Sequence, residues 1–327
     1  AGAVSNDTEE FGAASTVSLA QEGQVWYNST SAVLKGFGKQ GTGAWASGAD
    51  LNAKRFVMAS AGTATTNLCI SGGQDPGVVA LVEQYNGTAW SEQANVVNAT
   101  DYLTGFGSST AAIKTGGITP SPTGNTETWN GTSWTETNNL NTARGIFAGA
   151  GTQTAGMVFT GNPYTDLTET WDGTSWAETN DLNTVRQSIF GCGIQTAALA
   201  MGGNSSDPTR VALTETWDGT SWAETNDLNT ARDSAGSTGQ QTSALVYGGN
   251  SPPYQTVTEA FNGTSWTELA DLAQARYQTG STPASGTGGV TAGALCFGGS
   301  GIPPTSTSNV ETEEWSVPDA TKTFTAS

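Results

Sequence analysis

The chain has 327 residues, with 11 Lys and Arg against 29 Asp and Glu, no His, and a net charge of −18. That balance argues against DNA or RNA as a partner, since phosphate binding needs clustered cations, and equally against docking on an anionic membrane. Leu, Ile, Val and Phe make up fewer than one residue in five, but 11 Trp and only 12% charged residues argue for a folded chain that draws its apolar area from tryptophan rather than for disorder.

Residues 1–30 stand outside any repeat. Val25-Trp-Tyr-Asn-Ser-Thr followed by Ala32-Val-Leu-Lys reads as a hairpin with a polar turn. Asp7-Thr-Glu-Glu-Phe11 echoes Glu311-Thr-Glu-Glu-Trp315 near the other end. Two explanations compete: one module cut from a tandem array, or a spare strand that docks on itself or on a neighbour. The chain opens on Ala1, which implies removal or truncation of an upstream residue or segment. No signal peptide opens it, and no apolar run is long enough to span a bilayer.

From Trp45 onward one word recurs. Glu215 to Trp222 reads ETWDGTSW, and related words end at Trp90, Trp134, Trp176 and Trp266, with a weaker copy at Trp45. Asp218-Gly219 predicts a tight hairpin turn of two residues, because Gly accepts the positive φ such a turn demands. Leu140-Asn-Thr-Ala-Arg144 and its copies ending at Arg186 and Arg232 come next, then a Gly-rich strand. An apolar strand follows and ends in a glycine pair: Gly72-Gly73, Gly116-Gly117, Gly202-Gly203, Gly248-Gly249 and Gly298-Gly299, with Thr160-Gly161 departing. Four short strands per ~45 residues is the content of one propeller blade. We therefore expect an all-β, six-bladed β-propeller with four antiparallel strands per blade. Its last blade would combine Asn309 to Val317 with a strand around Ala44-Trp45-Ala46, so that both termini close the ring. The division is an arm over 1–30, the propeller over 31–317 and a tail over 318–327.

Arg55, Arg144, Arg186, Arg232 and Arg276 recur once per blade, and in the second blade, at Asn98-Ala-Thr-Asp-Tyr102, the Arg is missing. They read either as cations around the channel mouth or as structural partners of carbonyls and of an acidic residue on a neighbouring blade, such as Glu169 or Glu215. Repetition in nearly every blade favours the structural role. Glu127, Glu169, Glu215, Glu259 and Glu311, with Asp172 and Asp218, lack the spacing of a Ca²⁺ loop, and Asp alternates with Asn as a turn residue tolerates, so no metal site is expected. Asn-x-Ser/Thr words at Asn86, Asn130 and Asn262 fall on the same turns. Cys69, Cys192 and Cys296 are scattered and odd in number, and read as small buried hydrophobes rather than a disulfide framework. Without His the commonest general base is gone, so no catalytic residue and no cofactor is expected. The loops before the aromatic hairpins vary in length and hold most of the prolines. Variable loops on a rigid scaffold are where recognition resides, and Tyr164, Pro208, Tyr254 and Pro303 are the candidate contact residues.

The apolar strand ending in Gly-Gly and the paired aromatics, carried by Gly202, Gly203, Trp217 and Trp222 and their copies, resemble the kelch repeat over roughly residues 45 to 317. The words TETWDGTSWAETNDLNTAR and GTQTA, with Gln24-Val-Trp-Tyr-Asn-Ser-Thr, are similar to kelch-like proteins of tailed phages of marine bacteria. The resemblance implies a virion-surface or tail-fibre-associated, extracellular protein that attaches to a host. The expected partner is a host cell-surface glycan or protein, or else other virion proteins in a structural decoration. Self-association into a homo-oligomer through the N-terminal arm is the companion expectation.

Overall fold

The computed structural model describes residues 25–28, 33–39, 42–206, 209–282, 293–301 and 309–324. The described regular structure is all strand, with no helix. Residues 44–316 form one compact unit; residues 1–43 with 317–327 form another. In the smaller unit Val25–Asn28 pairs antiparallel with Val33–Lys39, the hairpin that the sequence predicts, and Val33–Lys39 pairs with Asp319–Phe324 on its other side.

The larger unit is a six-bladed β-propeller. Its fourth blade shows the pattern: Phe190–Ile194, Ala197–Met201, Thr214–Trp217 and Trp222–Glu224 run as one antiparallel sheet from the axis outward. Blades 1, 2, 3 and 5 repeat it, starting at Ala59, Thr104, Ala148 and Gly236. The sixth sheet comprises Gly280–Ser281, Ala294–Phe297 and Thr312–Ser316, and its outermost strand is Ala44–Ser47, paired antiparallel with Thr312–Ser316.

In every blade the two aromatics of the outer hairpin sit directly opposite each other. Trp217 faces Trp222 with ring centroids 5.4 Å apart, and Trp45 faces Trp315 at 5.6 Å. Such pairs bury large flat surfaces and gain from tilted ring contact. The core lies between adjacent blades rather than inside one. Met157 and Phe159 of blade 3 pack with Ala198, Trp217 and Trp222 of blade 4, while Leu295 and Phe297 of blade 6 pack with Cys69, Tyr85 and Trp90 of blade 1. The three cysteines are free and fully buried, and burial pushes the Cys69 thiol up to about 12.

Two details differ from the sequence reading. The hairpin tip is not the two-residue turn expected at Asp218-Gly219: Trp217 pairs with Trp222 and Asp218 N–H donates to Ser221 O, so Asp218 flanks the bend, and Thr220 and Ser221 N–H both donate to its Oδ1 at 2.8 Å. Asn130 Oδ1 accepts the equivalent bonds at 2.9 Å, so Asp and Asn interchange because either supplies the one oxygen needed. The glycine pair of blade 1 is offset by one residue. Ser71 (φ +54°) and Gly72 (φ +108°) match Gly202 (φ +58°) and Gly203 (φ +94°). Only the second position demands Gly. The first adopts the left-handed conformation that Ser71 and Thr160 (φ +64°) also reach.

The arginines rivet blade to blade. Arg186 donates its main-chain N–H to Thr165 O of blade 3, and its carbonyl accepts Gly161 N–H there. Its guanidinium crosses to blade 4, donating to Gly202 O, Leu213 O and Glu215 Oε1 at 3.0, 2.9 and 2.7 Å. Glu215 in turn accepts Asn183 N–H at 2.8 Å, so the carboxylate holds the connector as well as the cation. Arg144–Glu169, Arg232–Glu259, Arg276–Glu313 and Arg55–Glu83 repeat the arrangement, all buried. Arg55 carries it from blade 6 to blade 1, since its carbonyl accepts Gly299 N–H while its side chain bonds Leu81 O and Glu83. The structural reading of the arginines thus holds, with the partner on the blade that follows each connector. In blade 6 that partner is Glu313, not Glu311, because Glu313 is the residue opposite Cys296 in register, as Glu83 is opposite Cys69.

In blade 2 the connector position is Thr100 and the cation comes from elsewhere. Lys114 Nζ lies 3.2 Å from Glu127 Oε1 and donates to Asn98 O at 2.7 Å. It occupies the strand position held by Cys69, Val158, Ala200, Val246 and Cys296 in the other blades. Lys114→Val should therefore leave Glu127 buried without a partner charge and cost about 3–5 kcal/mol. Adding Thr100→Arg, which rebuilds the arrangement of the sister blades, should recover most of that loss in urea unfolding. Equal destabilisation of the single and double variants would show that the two cation positions are not equivalent.

Candidate functional site

The loops between second and third strands and the connectors between blades lie on one face. Isolated bridges tie them together at Asp101–Ile118, Gly145–Asn162, Gln187–Asn204 and Asp233–Asn250. Four of the loops contain a cis X-Pro bond, at Pro76, Pro120, Pro163 and Pro253.

At the centre of this face each connector contributes one residue in left-handed conformation: Val57, Tyr102, Ile146, Ser188, Ser234 and Gln278, with φ between +48° and +60°. Their main chains form a closed ring. Each N–H donates to the carbonyl of the residue before it around the axis: Tyr102 to Val57, Ile146 to Tyr102, Ser188 to Ile146, Ser234 to Ser188, Gln278 to Ser234 and Val57 to Gln278, at 2.8–3.0 Å. For an L-residue this conformation costs about 1–2 kcal/mol, and β-branched Val and Ile adopt it least readily. The ring imposes it six times.

The ring forms the mouth of the axial channel. A cavity of about 100 Å³ is lined by these six residues and by those that follow them, such as Met58, Leu103 and Thr279. Deeper along the axis the first strands line a second space of about 120 Å³, at Ser60, Gly105, Gly149, Gly191, Ser237 and Ser281 among others, with no charged side chain. The expected alternative of a cationic mouth is thereby corrected: the repeated guanidiniums are buried between blades.

The ring carries five residue types, with Ser at both 188 and 234. Gln278 Nε2 donates to Tyr102 Oη at 3.1 Å across the intervening Val57. Tyr277 stacks on Tyr254 with centroids 4.3 Å apart. Burial and then the Tyr254 hydroxyl push the Tyr277 phenol up to about 12, and burial also raises Tyr102, so both phenols are protonated at neutral pH. Arg210 lies 2.8 Å from Asp233, whose carboxyl burial nonetheless raises. Asp101, half-buried beside Tyr102, is raised by burial too. Among the described residues no group of three His, Cys, Asp or Glu side chains is placed to hold a metal ion.

Of the sequence-predicted contact residues, Tyr164 is exposed on the blade 3 loop and Tyr254 sits half-buried against Tyr277. Pro208 and Pro303 lie outside the described residues. Tyr164 and Tyr254 belong to the same face but to loops of different blades. Tyr102, Gln278, Tyr277 and Asp101 were missed. Their signal was positional: each lies one or two residues after the connector Arg or its counterpart Thr100.

No protein-family model matches the chain, and no curated protein matches it. No helix among the described residues is long and apolar enough to cross a membrane.

The raised Asp101 carboxyl has a consequence for stability. Between the ordinary carboxylate value of 3.8 and its higher folded value, the folded chain holds more protons than the unfolded one. Its contribution is therefore full below 3.8 and is lost as pH rises through the folded value. Asp101→Asn should flatten this part of the stability–pH curve and be at least as stable as the parent at pH 7, as read by thermal melting across pH 3–7.

Proposed function

We propose that the chain is a non-catalytic, kelch-like recognition module on the surface of a phage virion, which binds a glycan or protein of the host cell envelope. The observation that carries this reading is the contrast on one face. The backbone of the connectors repeats six times in the same left-handed conformation, while it presents five residue types, Val, Tyr, Ile, Ser twice and Gln, and the loops around them vary in length and sequence. A fixed scaffold with varied side chains at a concave centre is the arrangement of a binding site rather than of a packing surface. The resemblance of the repeat words to phage kelch-like proteins supplies the setting. Exchanging the loops 118–122, 162–165, 204–210 and 250–254 for short Gly-Ser turns should abolish adsorption of the purified chain to envelope fractions from a panel of marine bacteria, without altering its circular dichroism. Undiminished adsorption would sink this reading.

A second reading, structural decoration or strand-exchanged assembly, draws on the smaller unit. There, among the described residues, three strands form a sheet whose outer strands are Val25–Asn28 and Asp319–Phe324. Unpaired edges invite a further strand. On this reading light scattering should show an oligomer that falls to a monomer when residues 1–30 are deleted. A monomer in both forms would count against it.

A further inference from the structure

The mouth residues are held in a conformation that glycine adopts most readily, and this chain uses glycine freely for that purpose. Twenty-three described glycines have positive φ, against eight other residues, and six of those eight are the ring. Glycine at the ring would keep every main-chain bond and relieve the backbone. The side chains are retained at the mouth in spite of that, which points to a role beyond the fold.

Their chemistry narrows what they would hold. The ring N–H groups donate to one another, so none is left for an anion. The connector arginines two residues before the ring are buried in ion pairs between blades, and Arg210 is paired with Asp233. What remains at the mouth is the aromatic face of Tyr102, hydroxyls at Ser188 and Ser234 and the planar amide of Gln278, with the Asp101 carboxyl beside Tyr102. A pyranose matches this set: its C–H face lies on an aromatic ring, and its hydroxyls donate to amide and carboxylate oxygens and accept from phenols. Half-buried Asp101 and the absence of an unpaired cation among the mouth-lining residues disfavour a uronic or sulfated sugar.

We propose that the axial mouth, at Tyr102, Gln278 and the Ser188–Ser234 side, binds an uncharged pyranose unit of a glycan. The proposal rests on the recognition reading above and names its site and ligand class.

The test uses the full chain and a panel of methyl glycosides of mannose, galactose, glucose and N-acetylglucosamine, with galacturonate as the acidic member, read by saturation-transfer NMR and titration calorimetry. At least one uncharged member should bind, and galacturonate should bind at least tenfold more weakly. Tyr102→Gly and Gln278→Gly place in the ring the residue its backbone favours, so both should fold, as near-ultraviolet circular dichroism will check. Together they should weaken the sugar at least tenfold, and Asp101→Asn should weaken it less. Envelope adsorption by the parent chain with no response to any uncharged sugar would overturn the proposal and leave the recognition reading standing. So would sugar binding unchanged in the folded double variant. Loss of adsorption in the loop-exchanged chain, with unchanged sugar binding that the double variant abolishes, would support the mouth and give the loops a separate contact. If the parent chain neither adsorbs nor binds a sugar, both readings fall.

Discussion

Everything in the propeller depends on a buried ion pair that belongs to two blades at once. The main chain of each connector Arg is bonded to the blade it leaves, and its guanidinium to the blade it enters. A buried ion pair is poor evidence of net stability, because desolvation offsets much of the attraction. What it supplies here is geometry. Glu215 accepts from Asn183 N–H and from Arg186 together, so the connector, the glycine pair and the third strand are fixed relative to one another. Hydrophobic packing of Trp, Met and Phe between blades can then proceed on surfaces already in register.

Blade 2 shows which part of that device is indispensable. The carboxylate persists as Glu127 while the cation moves from the connector to the second strand, at Lys114. The connector N–H groups of Val97 and Asn98 still donate to Glu127 at 2.7 and 2.9 Å. The acceptor for the connector is thus the fixed element, and the positive charge is whatever neutralises it from within reach. Ser71 completes the adjustment, its hydroxyl donating to the Thr100 carbonyl at 2.8 Å.

Much of this was legible because the repeat is carried by bulky or unusual residues. Tryptophans at 42- to 46-residue spacing fix the hairpins, and glycine pairs fix the ends of the second strands. Lys114 was visible too, as a lone lysine in an otherwise apolar strand, but only alignment of the blades by register gives it meaning. The mouth was not legible. Val57, Tyr102, Ile146, Ser188, Ser234 and Gln278 share no side-chain property, and positive φ is read from Gly or Asn. Here the conformation is imposed from outside, by hydrogen bonds to the neighbouring connectors. The contact residues expected on the loops were chosen for aromaticity and proline content. The ones nearest the axis lie on the connectors, where sequence alone shows no loop.

The closed ring at the mouth also sets the field that an incoming molecule meets. At a helix end, peptide dipoles aligned head to tail leave an uncompensated partial charge. Here the bonds run head to tail around a circle, and the last meets the first. Dipoles that circulate in this way have in-plane components that cancel in the vector sum, so the ring leaves no net dipole across the plane of the mouth and no N–H without an acceptor. A propeller of this build starts from a mouth whose main chain favours no side of the ring. Whatever preference it shows is written in six side chains that can be exchanged one at a time without retuning the frame beneath them.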